Sequence, residues 1–167
     1  LDALAFATGY DAVTGALVRM DIRGVDGRTL AEKWADGPVA YLGLMTAGFP
    51  NFFMMLGPTS PSAFTNCLTA IEQHGEWVAA LLDHMRAQGI EKVEPTVEAE
   101  ESWSRHAADL AAQTLFPLAN SWYMGDNISG KPRRMLAYVG GLAAYREKCD
   151  DIAAHGYEGF LLSPTTS

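Results

Sequence analysis

The stretch FATGYDAVTGAL, residues 6–17, carries the first decision about this chain. It closes an apolar run, Leu1–Ala7, that holds one acid and reads as a buried strand. The run breaks at Thr8-Gly9, where a small residue followed by glycine lets backbone approach a ligand closely. Ala-Thr-Gly alone suits any strand–turn, so an ordinary turn stays open. A second stretch lies far along the chain: NSWYMGDNISGKPR, residues 120–133, followed by Arg134. Between them sits GPTSPSAFTN, residues 57–66. The fold and the function both turn on how these three pieces meet.

Composition narrows the classes. The chain has 167 residues, 49% hydrophobic and 19% charged, which is enough for one domain with a real core. Its formal net charge of -8 argues against nucleic acid or an anionic membrane surface as partner, though a local basic loop can still take an anionic cofactor. No apolar run approaches the ~20 residues of a membrane span, and no basic n-region with a cleavage site opens the chain. Opening on a strand is unusual, so a piece of something longer is expected. Cys67 and Cys149 both fall in helix-like segments and read as free, packed thiols of a cytoplasmic protein. No Cys/His ligand spacing predicts a metal.

The periodicity predicts a mixed α/β chain, with short strands first and long helices after. Leu17–Ile22 alternates and ends at Gly24, with Asp26-Gly27 as a turn, and reads as a short hairpin or excursion. Thr29 is placed to cap a short helix, Leu30 to Ala35. Tyr41–Met45 and Phe52–Leu56 read as core strands. Phe64, Cys67, Leu68, Ile71, Val78, Leu81, Leu82 and Met85 repeat at helical spacing up to Gly89, with Gly75 in the middle predicting close packing or a bend. Thr96 to Leu115 is a second helix whose acids, Glu98, Glu100 and Glu101, read as a solvated first turn. Pro117 ends it. Leu118–Arg134 has no period. Leu142–His155 is the last helix, with Gly156 as its cap. Phe160–Leu162 is a final strand, and residues 163–167 read as a tail. His74 reads as structural, His84, His106 and His155 as surface, and Met45, Met54 and Met55 as core.

Two segments could carry chemistry on residue type alone. Gly57 to Ala63 is a strand, a tight turn and a helix start. Open amides and a positive helix end there favour a carbonyl oxygen or an anion, or Ser60 or Ser62 simply caps the helix. In residues 120–134, Lys131, Arg133 and Arg134 crowd into one flexible loop of an acidic protein, and Trp122 offers a flat face with an N–H donor. A solvated loop anchored by its aromatics is the plain alternative.

Taken together, ATGYDAVTGAL, GPTSPSAFTN, SWYMGDNISGKPR, YLGLMTAGFPNFF, AIEQHGEW and YVGGLAAYR resemble the C-terminal part of type I Baeyer–Villiger monooxygenases, over nearly the whole chain, 1–162. The longer turn at Ser62-Ala63 is similar to the phenylacetone- and steroid-type branch. Such enzymes are flavoproteins with two dinucleotide-binding domains. They use FAD, NADPH and O₂ to insert one oxygen beside a ketone carbonyl, giving esters or lactones. The resemblance implies the C-terminal portion of the FAD-binding domain, with a loop over about 117–134 that closes on NADP. It implies cofactor-facing roles for Thr8, Gly9, Ser62, Ala63, Cys67 and Trp122, and a weaker one for Lys131. Ser62, Ala63, Phe64 and Cys67 would wall the ketone pocket. The chain departs from the family where it matters most: it holds no GxGxxG turn, so no catalytic residue is carried over. The missing FAD- and NADP-binding region is expected in cis or in trans, and the chain alone is expected to be inactive. The alternatives are a fragment of a related flavin N- or S-oxygenase, or a non-catalytic interaction module that buries an exposed apolar face on a partner.

Overall fold

The computed structural model describes residues 3–6 and 9–164. Two short helices come first, α1 (Gly15–Arg19) and α2 (Leu30–Lys33), followed by the long α3 (Cys67–Gln88). Strand β1 (Ile90–Pro95), α4 (Val97–Ala112), α5 (Leu142–Ala154) and β2 (Phe160–Pro164) complete the order. Single 3₁₀ turns cover Phe116–Leu118 and Trp122–Met124. The mixed helix and strand content is of the expected α/β class. The strands do not precede the helices, however: β1 links α3 to α4, and β2 follows α5 and pairs with β1 antiparallel, Val93 opposite Leu162.

Each long helix has a local cause. Asn66 caps α3 by accepting from the Leu68 amide, and Gly89 ends it at φ 63°, the left-handed position that glycine takes without steric cost. Its buried residues, Ala70, Gln73, His74, Trp77, Val78, Leu81 and Met85, recur at intervals of three and four. Thr96 caps α4 through the Ala99 amide, and Glu100, Trp103, Ala107 and Ala111 form its inward stripe. In α5 the stripe is Tyr145, Cys149 and Ile152. These three faces and the Tyr41–Met45 turn close one core. Trp77 Nε1 donates to the Cys149 carbonyl (2.9 Å), so α3 and α5 are joined by a buried hydrogen bond as well as by packing. Around α2, Leu30, Trp34, Ala40, Phe49 and Met54 make a second cluster. Ala63, Ala111, Met124, Met135 and Ala137 make a third.

Several sequence expectations fail for physical reasons. Tyr41–Met45 and Phe52–Leu56 are not strands. Leu42, Gly43 and Leu56 have positive φ, so the chain reverses within a few residues and forms only the isolated Tyr41–Met45 bridge. A Cβ at Gly43 would lie 2.1 Å from Ser60 Oγ, which is the close approach that requires glycine there. Leu17–Arg19 fall in helix α1 and Met20–Ile22 form no strand, although the turn at Asp26-Gly27 forms, with Arg23 bridged to Thr29. Residues 3–6 form no strand and are exposed, Phe6 at 81%; the buried strand expected over Leu1–Ala7 is not seen in its described part. Ser163 and Pro164 belong to β2 and not to a tail, because β1 gives them partners. The helix expected from Phe64 starts at Cys67, so Phe64, Cys67 and Leu68 are exposed and the buried stripe begins at Ala70. Cys67 is thus exposed while Cys149 is buried, its thiol pushed up to about 12 by burial. Met55 is half-exposed, and Glu100 is buried.

Gly75 faces open space, with nothing within 4 Å of a Cβ built on it. Close packing therefore does not explain it. Gly75→Ala is expected to stabilise the chain by about 1 kcal/mol, seen as a raised urea midpoint at unchanged slope.

Candidate functional site

The loop over residues 118–134 is tied back to both other segments of interest. Arg134 N donates to the Met124 carbonyl (3.1 Å) and Leu136 N to the Tyr123 carbonyl (2.8 Å), closing the loop on itself. Thr59 N then donates to the Leu136 carbonyl (2.9 Å) and Tyr138 N to the Ser60 carbonyl (2.7 Å), with Ser60 bridged in parallel to Ala137. The base of the loop is therefore laid directly beside the turn that leads into α3. Positive φ at Leu56, Thr59 and Phe64 marks that turn as strained, an arrangement that persists where surrounding contacts hold it.

The N-terminal segment meets the other end of the loop. Asn127 Nδ2 donates to the Tyr10 carbonyl (2.8 Å), and Gly9, at φ 86°, would bring a Cβ to 3.5 Å from the same nitrogen. Lys131 Nζ pairs with Asp11 and donates to Thr14 Oγ1 (2.8 Å), with its side chain only 9% exposed. A groove of about 580 Å³ results, lined by Gly9, Tyr10, Ser121, Trp122 and Asn127 among others. Trp122 is 42% exposed in it and stacks its other face on Tyr123 (centroids 3.8 Å). An aromatic series continues from Tyr123 to Phe116 (4.9 Å) and from Phe116 to Phe64 (5.7 Å). The loop and the turn before α3 are thus coupled by rings as well as by backbone.

Of the residues singled out in the sequence, Gly9, Trp122 and Lys131 converge on one side. Ser62, Ala63 and Phe64 lie at the strained turn, and Cys67 stands exposed on the first turn of α3. Thr8 lies outside the described residues. Ala63 is buried in the third cluster, where its methyl fills core. The basic cluster does not read as it did in the sequence. Lys131 is neutralised by Asp11, Arg133 pairs with Asp126 (3.0 Å), and Arg134 reaches the Pro38 carbonyl (3.5 Å). These cations act first as anchors of the loop. Lys131 in particular has no free ammonium to offer a phosphate, which departs from its expected direct role. The α3 start does suit a dinucleotide site: no acid occupies its first turn, so the positive helix end is not locally cancelled. The half-open indole face likewise fits a flat ring. Among the described residues no group of three His, Cys, Asp or Glu is placed to hold a metal, and no helix is long and apolar enough to cross a membrane.

Sequence reasoning missed Glu100. Its carboxylate accepts from Thr46 Oγ1 (2.6 Å) and Ala47 N (2.9 Å) and pairs with Lys33 Nζ (2.7 Å). The signal was present: positions 100, 103, 107 and 111 form the inward stripe of α4, and Glu100 is its first member.

Comparison with known proteins agrees with the resemblance. No family model matches the chain. The acetone monooxygenase (methyl acetate-forming) of Gordonia sp. (strain TY-5) is 49% identical over 98% of this chain and 31% of its own length. The phenazine N-monooxygenase of Lysobacter antibioticus is 48% identical over 97% of this chain and 30% of its own. The crystal structure of cyclohexanone monooxygenase from Rhodococcus sp. Phi1 bound to NADP+ superposes with a TM-score of 0.94 at 43% identity, covering 99% of this chain and 31% of that one. The chain therefore spans about a third of the length of the proteins it matches.

Proposed function

We propose a function from the premise that this chain belongs to the Baeyer–Villiger monooxygenase family. It supplies one wall of a FAD- and NADP-dependent site. In the whole protein that site inserts one oxygen from O₂ beside a ketone carbonyl, using NADPH. The bound flavin and nicotinamide supply the redox chemistry. This chain's own residues orient and enclose. Trp122 offers its free face to the nicotinamide-ribose end of NADP, and Thr8 and Gly9 let backbone approach the dinucleotide. Ser62, Phe64 and Cys67 wall the ketone pocket, with Ala63 packed behind them. Lys131 acts through Asp11 by holding the loop against the N-terminal segment. The reading rests on one observation above all: the loop is tied to both other segments and leaves a half-open indole over the groove it forms with the N-terminal one. The phenylacetone- and steroid-type branch and a cytoplasmic setting complete the proposal.

The test is a chimera in which this chain replaces the equivalent segment of the Gordonia acetone monooxygenase. Gas chromatography is expected to show ester from a ketone with the chimera, and none with this chain alone plus FAD and NADPH. Trp122→Ala in the chimera is expected to raise the KM for NADPH about tenfold, from loss of one aromatic contact. A flavin-loaded chimera that makes no ester, or an active 167-residue chain, would count against the proposal.

A second reading has its own support. The phenazine N-monooxygenase matches as well as the ketone enzymes do. Nitrogen oxidation is its prediction, and a chimera that converts a phenazine to its N-oxide but leaves ketones untouched would favour it. As a non-catalytic module, the chain would need its exposed Leu4, Phe6, Phe64, Leu68, Leu115 and Leu118 covered. A clean monomer by light scattering opposes that reading.

A further inference from the structure

A cleft of about 210 Å³ lies between α4 and the segment that returns from the loop, with Pro38 and Thr59 at its edges. Two arginines line it, Arg105 from α4 and Arg134 from the returning segment, and no carboxylate does. In a chain of net charge -8 an arginine pair without an acid is unexpected. Arg105 makes neither a hydrogen bond nor an ion pair among the described residues. Arg134 has only the Pro38 carbonyl at 3.5 Å, and its guanidinium lies over Gly37, where a Cβ would come within 3.1 Å of Nε. Ser104 supplies an independent sign. It lines the same cleft, and its Oγ is shut off from solvent without any hydrogen-bond partner. A buried hydroxyl left unpaired costs free energy that a ligand oxygen could recover after one side-chain rotation.

We propose that this cleft binds a phosphate group, free or as a phosphomonoester. Arg105 and Arg134 form charge-assisted bonds to its oxygens, and Ser104 donates a third. Guanidinium forks match the spacing of phosphate oxygens, and two of them from different elements define a site where one would give only a contact. The Thr59 hydroxyl is not available as a donor, because it donates to the Pro58 carbonyl while accepting from Trp103 Nε1. The bound group would cross-link α4 to the base of the loop, where Thr59 N and Leu136 O join the loop to the turn before α3. The inference stands apart from the oxygenase reading, since none of its residues faces the groove at Trp122.

Titration of the full chain with inorganic phosphate at low salt, followed by two-dimensional NMR, tests it. Saturable shifts are expected at Ser104, Arg105 and Arg134. Arg105→Gln and Arg134→Gln should each weaken binding about tenfold, the worth of one charge-assisted bond. Ser104→Ala should weaken it less, and added chloride salt should compete. Glycerol phosphate is titrated in parallel: tighter binding than inorganic phosphate identifies a phosphomonoester as the ligand, and weaker binding identifies the free ion. Absence of saturation, or binding untouched by both arginine substitutions, overturns the proposal.

Discussion

Glu100→Ala is expected to destabilise the chain by about 3–5 kcal/mol, the range for removing one partner of a buried ion pair. Glu100 is 2% exposed, and its Lys33 partner keeps only 15% of its side chain in solvent. The substitution strands three groups at once: the Lys33 ammonium, the Thr46 hydroxyl and the Ala47 amide. It also loosens a turn held from two elements, because Glu94 of β1 accepts from Gly48 N (2.8 Å) just beyond. Urea unfolding should show the midpoint falling by more than about 1 M, since m is about 1–3 kcal/mol/M. Glu100→Gln keeps an acceptor for Thr46 and Ala47 and should cost less than alanine. Removing both charges, Lys33→Met with Glu100→Leu, should recover only the part that comes from the stranded ammonium, because the Thr46 hydroxyl and the Ala47 amide still lack their acceptor. A loss under about 1 kcal/mol for Glu100→Ala would mean that α2 and α4 are held by packing alone.

That residue also shows where the sequence was legible. Capped, strongly periodic helices were readable because their signals are local. The Thr29–Glu32 capping box, Thr96 before α4 and Gly89 after α3 each act within one turn. The short apolar runs were not readable, since a buried run of five residues has no period of its own. Tyr41–Met45 is buried as expected, yet it is a turn, and only its contact with Ser60 at Gly43 reveals why. β1 was missed because IEKVEP carries three charges in six residues, two of them adjacent, and its partner lies some seventy positions further along. Ladders between distant segments leave little local trace.

The candidate site divides in the same way. The three segments were identified from their residues, and the structure brings them together. The partners of the basic residues were invisible, because a lysine looks the same in sequence whether it faces a ligand or an aspartate 120 positions away. The aromatic series from Trp122 to Phe64 was equally hidden, since Phe116 joins it from the end of another helix.

Acid should destabilise this chain through His74, by about 3 kcal/mol between pH 6.5 and pH 4. The ring is fully buried, and burial lowers its pKa from 6.5 to about 4. Its tautomer follows from its neighbours. Tyr145 donates its hydroxyl to the Leu42 carbonyl (2.6 Å), so His74 Nε2–H donates to Tyr145 Oη (2.9 Å), and Nδ1 is left to accept from Leu56 N (3.4 Å). Above pH 6.5 both the folded and unfolded chains carry a neutral ring, and the residue contributes no pH dependence. Below it the unfolded chain takes up a proton that the folded chain refuses until about pH 4, so each pH unit in that window costs about 1.4 kcal/mol. Urea unfolding at several pH values checks the slope, and His74→Gln should remove that part of it while the rest of the acid dependence remains. An identical pH profile in the variant would refute the assignment. Protonation must also occur at Nδ1, the ring's one lone pair, which in the neutral state accepts from the Leu56 amide. The Leu56 amide should therefore lose hydrogen-exchange protection in acid before the amides of α3 do, opening first the turn that carries Ser62 and Phe64.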